Sequence, residues 1–159
     1  MEQRIIIITP DDEIKTMPYH NYTDLQKAVG GYFEICASFE LPVISVLANG
    51  RERLPVDLFC NDEFLLQKHD FSKVNAVATL LAKQEIRGTV AVAVRVIDEM
   101  GADTRGFCYK EEDVDGETEE ALCECWTAED TLLRFAKANE KAIQALHKEL
   151  DITEGSRKQ

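Results

Sequence analysis

Ile5-Ile6-Ile7-Ile8 is the most constraining feature of the 159-residue chain. A strand's side chains alternate between faces, so four consecutive isoleucines put apolar bulk on both. Such a strand cannot sit at a wetted edge. It must be central, with cover above and below. Thr89 to Ile97 repeats the signal: Val90, Val92, Val94 and Val96 alternate with Ala91, Ala93, Arg95 and Ile97, and the first half is apolar on both faces.

The segments between these strands read as short helices and further strands. Pro10-Asp11-Asp12 ends the first strand. Asn21 or Thr23 can cap a helix to Val29, and Gly30 can stop it. Tyr32 to Glu40 reads as a strand, separated by Pro42 from another at Val43 to Leu47. Asn49-Gly50 tolerates positive φ and predicts a tight reversal. Arg51 to Phe59 is extended, and Pro55 predicts an edge or an irregular piece. Asn61 can cap a brief helix to Gln67, and Ser72 another to Ala82. Thr127 to Asp130 resembles a capping box. Leu132, Phe135, Ala136, Ile143, Leu146 and Leu150 then form a helical stripe with one gap at Asn139. The expected fold is α+β: a small mixed or antiparallel sheet of four to five strands, short helices, and a long C-terminal helix. The expected organisation is a core over 1–98, an acidic segment over 99–126, a helix over 127–151 packing on the core or on a dimer mate, and a loose tail over 152–159.

Charge is unevenly placed. The chain carries 30 acids and 18 bases, a net −12. Between Asp98 and Asp130 stand thirteen acids against Arg105 and Lys110, a net −11, which leaves −1 for everything else. So acidic a chain does not grip a nucleic-acid backbone by charge neutralisation, nor an anionic membrane. The run through Glu111, Glu112, Asp113, Asp115, Glu117, Glu119 and Glu120 is a solvated connection or a surface for a basic partner, one that binds nucleic acid included. No run reaches the roughly 20 apolar residues of a membrane span. The chain shows no signal-peptide pattern, and its five cysteines lack a framework spacing. Reduced thiols and a cytoplasmic location are the expectation.

Motifs for chemistry are sparse. Cys123-Glu124-Cys125 lacks the zinc-knuckle spacer and a second ligand pair. Glu111 to Gly116 opens like a calcium loop, but its twelfth position is Leu122 rather than a bidentate Glu. No glycine-rich phosphate loop is present. His20, His69 and His147 neighbour no nucleophile motif. Cys36 reads as a small core residue and Cys60 as a buried structural thiol. No catalytic residue, metal site or cofactor is assigned. Gly30, Gly31, Asn49 and Asn61 are candidate lining for a pocket where turns gather at one end of the sheet.

The order Ile8-Thr9-Pro10, Leu25-Gln26, Val29-Gly30-Gly31-Tyr32-Phe33-Glu34, Asn49-Gly50, Leu54-Pro55, Asn61 and Ile86-Arg87-Gly88-Thr89-Val90 resembles a family of uncharacterised proteins from phages, plasmids and conjugative elements, mostly of Gram-positive bacteria. The resemblance covers roughly residues 1–98. It implies no activity and no catalytic residues, only a setting: a small cytoplasmic accessory protein of a mobile element. The expected function is non-enzymatic binding through the acidic surface, to a basic protein such as a host defence factor. The alternatives are a small-molecule or nucleotide-binding domain, an enzyme of unknown reaction, or a homodimer built through the C-terminal helix.

Overall fold

The structure is a computed structural model that describes residues 3–42, 53–61, 73–97, 103–106, 108–109 and 128–150. Its centre is an antiparallel sheet of β1 (Gln3–Ile8), β2 (Ile14–Tyr19), β3 (Phe33–Pro42), β4 (Arg53–Asn61), β5 (Val90–Ile97), β6 (Asp103–Gly106) and β7 (Cys108–Tyr109). The principal order is β2-β1-β5-β4-β3, with β6 paired to β5 and β7 to β1. The helices are α1 (Tyr22–Val29), α2 (Ala76–Ala82), α3 over residues 128–138 and α4 (Glu140–Leu150). The fold class is α+β.

β1 is interior, as its composition requires. Ile5 and Ile7 join Leu25, Phe59, Ala91 and Ala93 under α1. Ile6 and Ile8 join Val56, Leu58, Cys60, Val90 and Val92 under the other helices. All four isoleucines are buried. Antiparallel sheets often leave one face wet; here both faces of β1 are covered, because alternate isoleucines demand it.

β2 follows a turn in which Asp12 takes φ 67°. It pairs β1 along its whole length, with Pro18 opposite Arg4. A proline suits β2, which has β1 as its only neighbour among the described residues, because the missing N–H costs no ladder bond on an open edge. β4 differs from the edge strand that Pro55 predicted. It lies between β3 and β5, but its ladder to β5 runs only over Val56–Phe59. Pro55 faces Glu40 of β3 and stands just outside that ladder.

Beyond β5 the sheet continues. Val94 pairs both Val56 and Gly106, so β6 lies on the edge of β5 opposite β4. On that same edge β5 holds β1 through Val90–Val92 and β6 from Val94 on. β7 then pairs Gln3 and Arg4 of β1. The segment read as acidic over 99–126 contains these two short strands.

The C-terminal stripe packs on its own sheet. Ala128, Leu132 and Ile143 are buried there, with Phe135, Ala136 and Leu146 against them, and α4 touches α2. The gap in the stripe at Asn139 coincides with the junction of α3 and α4. There the Asn139 side chain donates to Phe135 O at 2.8 Å, beside the backbone bond from Asn139 N to the same oxygen. No helix of the described residues is long and apolar enough to cross a membrane.

Candidate functional site

At one end of the sheet, α1 meets β4. Asn21 opens α1 from an extended backbone, its side chain accepting from Thr23 N at 2.9 Å. Asp24 in the first turn accepts from His20 N at 2.6 Å. That backbone donor, together with the nearby His20 ring, holds the Asp24 carboxyl below its ordinary range against the opposing effect of burial. Gly30 closes the helix in the left-handed conformation, φ 83°. Both Gly30 N and Gly31 N donate to Gln26 O at 2.9 Å.

Asn61 reaches into this turn from the end of β4 and donates to Val29 O at 3.1 Å. A Cβ added at Gly31 would stand 3.2 Å from Asn61 Nδ2, and one at Gly30 3.8 Å. Three of the four residues suggested for a turn-end pocket are therefore neighbours. Their contacts tie the last turn of α1 to the sheet. Asn61 is the last residue of β4; the helix it was expected to cap, over 62–67, lies outside the described residues, as does Asn49. Tyr32, directly after the turn, is 73% exposed.

On the face that α1 covers, β4 carries Asp57, whose side chain is buried. Ser38 Oγ donates to Asp57 Oδ1 at 2.6 Å across the β3–β4 ladder. The alternation of Asp57 against Val56 and Leu58 in an interior strand was the available sequence sign of a polar partner.

A second polar group sits at the opposite layer. Asn75, rather than Ser72, caps α2: its side chain accepts from Ala78 N at 3.1 Å. Its amide donates to Ile8 O at 3.0 Å and to Gly88 O at 2.9 Å. One fully buried side chain thus joins β1, the start of α2 and the turn before β5. Around it, Lys73 pairs with Asp11 at 2.9 Å, and His147 Nε2 of α4 lies 2.9 Å from Asp12 Oδ1. Arg87 reaches Glu85 and Leu150 O, each at 3.5 Å. These contacts fasten α4 and the β1–β2 turn to the core.

Among the described residues no group of three or more His, Cys, Asp or Glu side chains is placed to hold a metal ion. The candidate acidic residues Glu111, Glu112, Asp113, Asp115, Glu117, Glu119 and Glu120 lie outside the described residues, as do His69, Ser72 and Thr127.

No protein-family model matches the chain, and no curated protein sequence does. A solved structure to which it is similar is the crystal structure of small RNA methyltransferase HEN1, at a TM-score of 0.38 and 18% identity. That match covers 77% of this chain and 16% of the other. A score this low carries no statement about the chemistry of this chain.

Proposed function

We propose that this protein is a non-enzymatic binding module whose acidic segment meets a basic surface on a partner protein, with a setting in a mobile genetic element. The observation that carries this reading is the net −11 between Asp98 and Asp130 in a chain otherwise close to neutral. A field of one sign on a neutral body accelerates encounter with the opposite sign and rejects polyanions. The polar side chains of the folded body support the same reading. Asn61, Asn75 and the His147–Asp12 pair join elements of the fold to one another. The partner class is therefore a basic protein surface of the kind that binds nucleic acid, with the acidic chain taking the place of phosphates.

Affinity capture from host lysate with the full chain tests this. The expected result is recovery of basic proteins at low salt and their loss at about 0.5 M salt, where screening is severe. A variant carrying Glu111→Gln, Glu112→Gln, Asp113→Asn, Asp115→Asn, Glu117→Gln, Glu119→Gln and Glu120→Gln should recover the same proteins at least several-fold less well. Equal recovery by the variant overturns the reading.

A further inference from the structure

The β3–β4 ladder contains an irregularity that brings two thiols together. Its register runs Phe33↔Asn61, Glu34↔Cys60 and Ile35↔Phe59, then resumes at Ala37↔Leu58. Cys36 is the extra residue. A bulge interrupts the strict alternation of side chains, so two successive residues can share a face. Cys36 and Ala37 accordingly both pack on the core that contains Leu58 and Cys60. The Cys36 thiol lies 3.5 Å from Leu58 O. From the helix layer, Gln84 Nε2 donates to Cys36 O at 2.8 Å and fixes the bulged backbone. Both cysteines are in the reduced form, Cys60 buried and Cys36 half-buried.

We propose that Cys36 and Cys60 form a modification site: a hydroperoxide oxidises Cys36 first, and Cys60 resolves it into a disulfide between β3 and β4. Two features assign the roles. Cys36 is the more exposed of the two, half-buried where Cys60 is buried, so a small oxidant meets it first. The Cys60 thiol also donates to the Cys36 sulfur and draws the Cys36 thiol below its usual range; burial and the charge of Glu34 oppose this.

In the first step the Cys36 thiolate attacks the peroxide, forming an S–O bond and breaking the O–O bond. The departing oxygen takes a proton and leaves as water, or as an alcohol from an organic hydroperoxide. In the second, Cys60 Sγ attacks Cys36 Sγ, the S–S bond forms, the S–O bond breaks, and hydroxide leaves with the Cys60 proton as water. The peroxide gains two electrons and the two thiols lose them.

Peptide mapping of the full chain after hydrogen peroxide treatment provides the test. Cleavage after Lys27, Arg51, Arg53 and Lys68 puts Cys36 on peptide 28–51 and Cys60 on peptide 54–68. The expected product is these two peptides joined, about 2 Da lighter than their sum and separated again by a reductant. In Cys60→Ala, Cys36 should instead accumulate as a sulfenic acid trapped by a cyclic 1,3-dione. In Cys36→Ser, Cys60 should keep its thiol at the same peroxide dose. The two single variants are independent, so loss of folding in one leaves the other to decide. Three results overturn the proposal: no joined peptide in the wild-type chain, Cys36 joined instead to Cys108, Cys123 or Cys125, or Cys60 oxidised as fast without Cys36 as with it.

Discussion

The two faces of the sheet are closed by different means. On one, α2, α3 and α4 cover Ile6, Ile8, Leu58, Val90 and Val92, and add Leu132 and Ile143 to the core. On the other, the eight-residue α1 covers Ile5, Ile7, Ala91 and Ala93. β5 shows the contrast within one strand: Val90 and Val92 face the three helices, and Ala91 and Ala93 face the single one. Small residues let a short helix approach the strand closely, but they supply less apolar area. A helix of eight residues also has little stability of its own. The thin side is therefore held by specific polar contacts at both ends of α1: Asn21 and Asp24 at the start, Gly30 and Asn61 at the finish. The thick side is held by volume, with Asn75 as a fully buried polar junction within it.

The sharpest test is of Asn75. Asn75→Ala leaves Ile8 O, Gly88 O and Ala78 N without the fully buried side chain that now pairs them. The expected loss is about 4 kcal/mol, read as a lowered denaturant midpoint. A loss under about 1 kcal/mol would show that volume alone holds the thick side.

Two truncations compare the faces directly. Leu132→Ala should cost about 3 kcal/mol and lower the stability of the whole molecule. Leu25→Ala, on the thin side, should cost about 2 kcal/mol. Its signature in hydrogen exchange should be confined to α1, as expected of a small local unit. Equal global effects from both would erase the distinction. Gly30→Ala should cost about 1 kcal/mol, because alanine resists the left-handed conformation that ends α1; urea melts would measure it.

The smallest effect is the pH dependence of the α1 start. The Asp24 carboxyl is lowered in the folded protein from 3.8. Its contribution is present above pH 3.8 and is lost as pH falls through the lower folded value. Asp24→Asn should flatten that acid-side slope, matching wild type at low pH and falling slightly below it at neutral pH in urea melts.

What could be read from the sequence follows from where the determining interaction lies. The β1 isoleucines carry their own instruction, since no other arrangement buries four apolar side chains pointing both ways. The α1 caps are equally local: Asn21 and Gly30 act within a turn of the helix they bound. The C-terminal stripe was legible as one long helix; its division at Asn139 into α3 and α4 was not, although the single gap in the stripe falls there. β2 was missed because Ile14 to Tyr19 has neither clean alternation nor a proline-free run, and only an edge position admits it. Asn75 was passed over for Ser72 because two of its three partners, Ile8 O and Gly88 O, belong to other elements. The Cys36 bulge has no local signature either; it exists only as a mismatch between two strands. At the turn-end site, Gly30 and Gly31 were legible as a turn, but the arrival of Asn61 depended on the β3–β4 register.

The return of the chain into the sheet at β6 and β7 has a mechanical consequence for the charged stretch that follows. Residues 110–127 leave a strand that is paired to β1 and re-enter a helix whose first residue, Ala128, is buried. Eight carboxylates and one lysine therefore belong to a span pinned at both ends. Fully extended chain advances about 3.4 Å per residue, so no point of that span can stand more than about 30 Å from one of its two anchors. Both anchors belong to the folded body, so the charge between them is tied to that body at two points of the sequence rather than one.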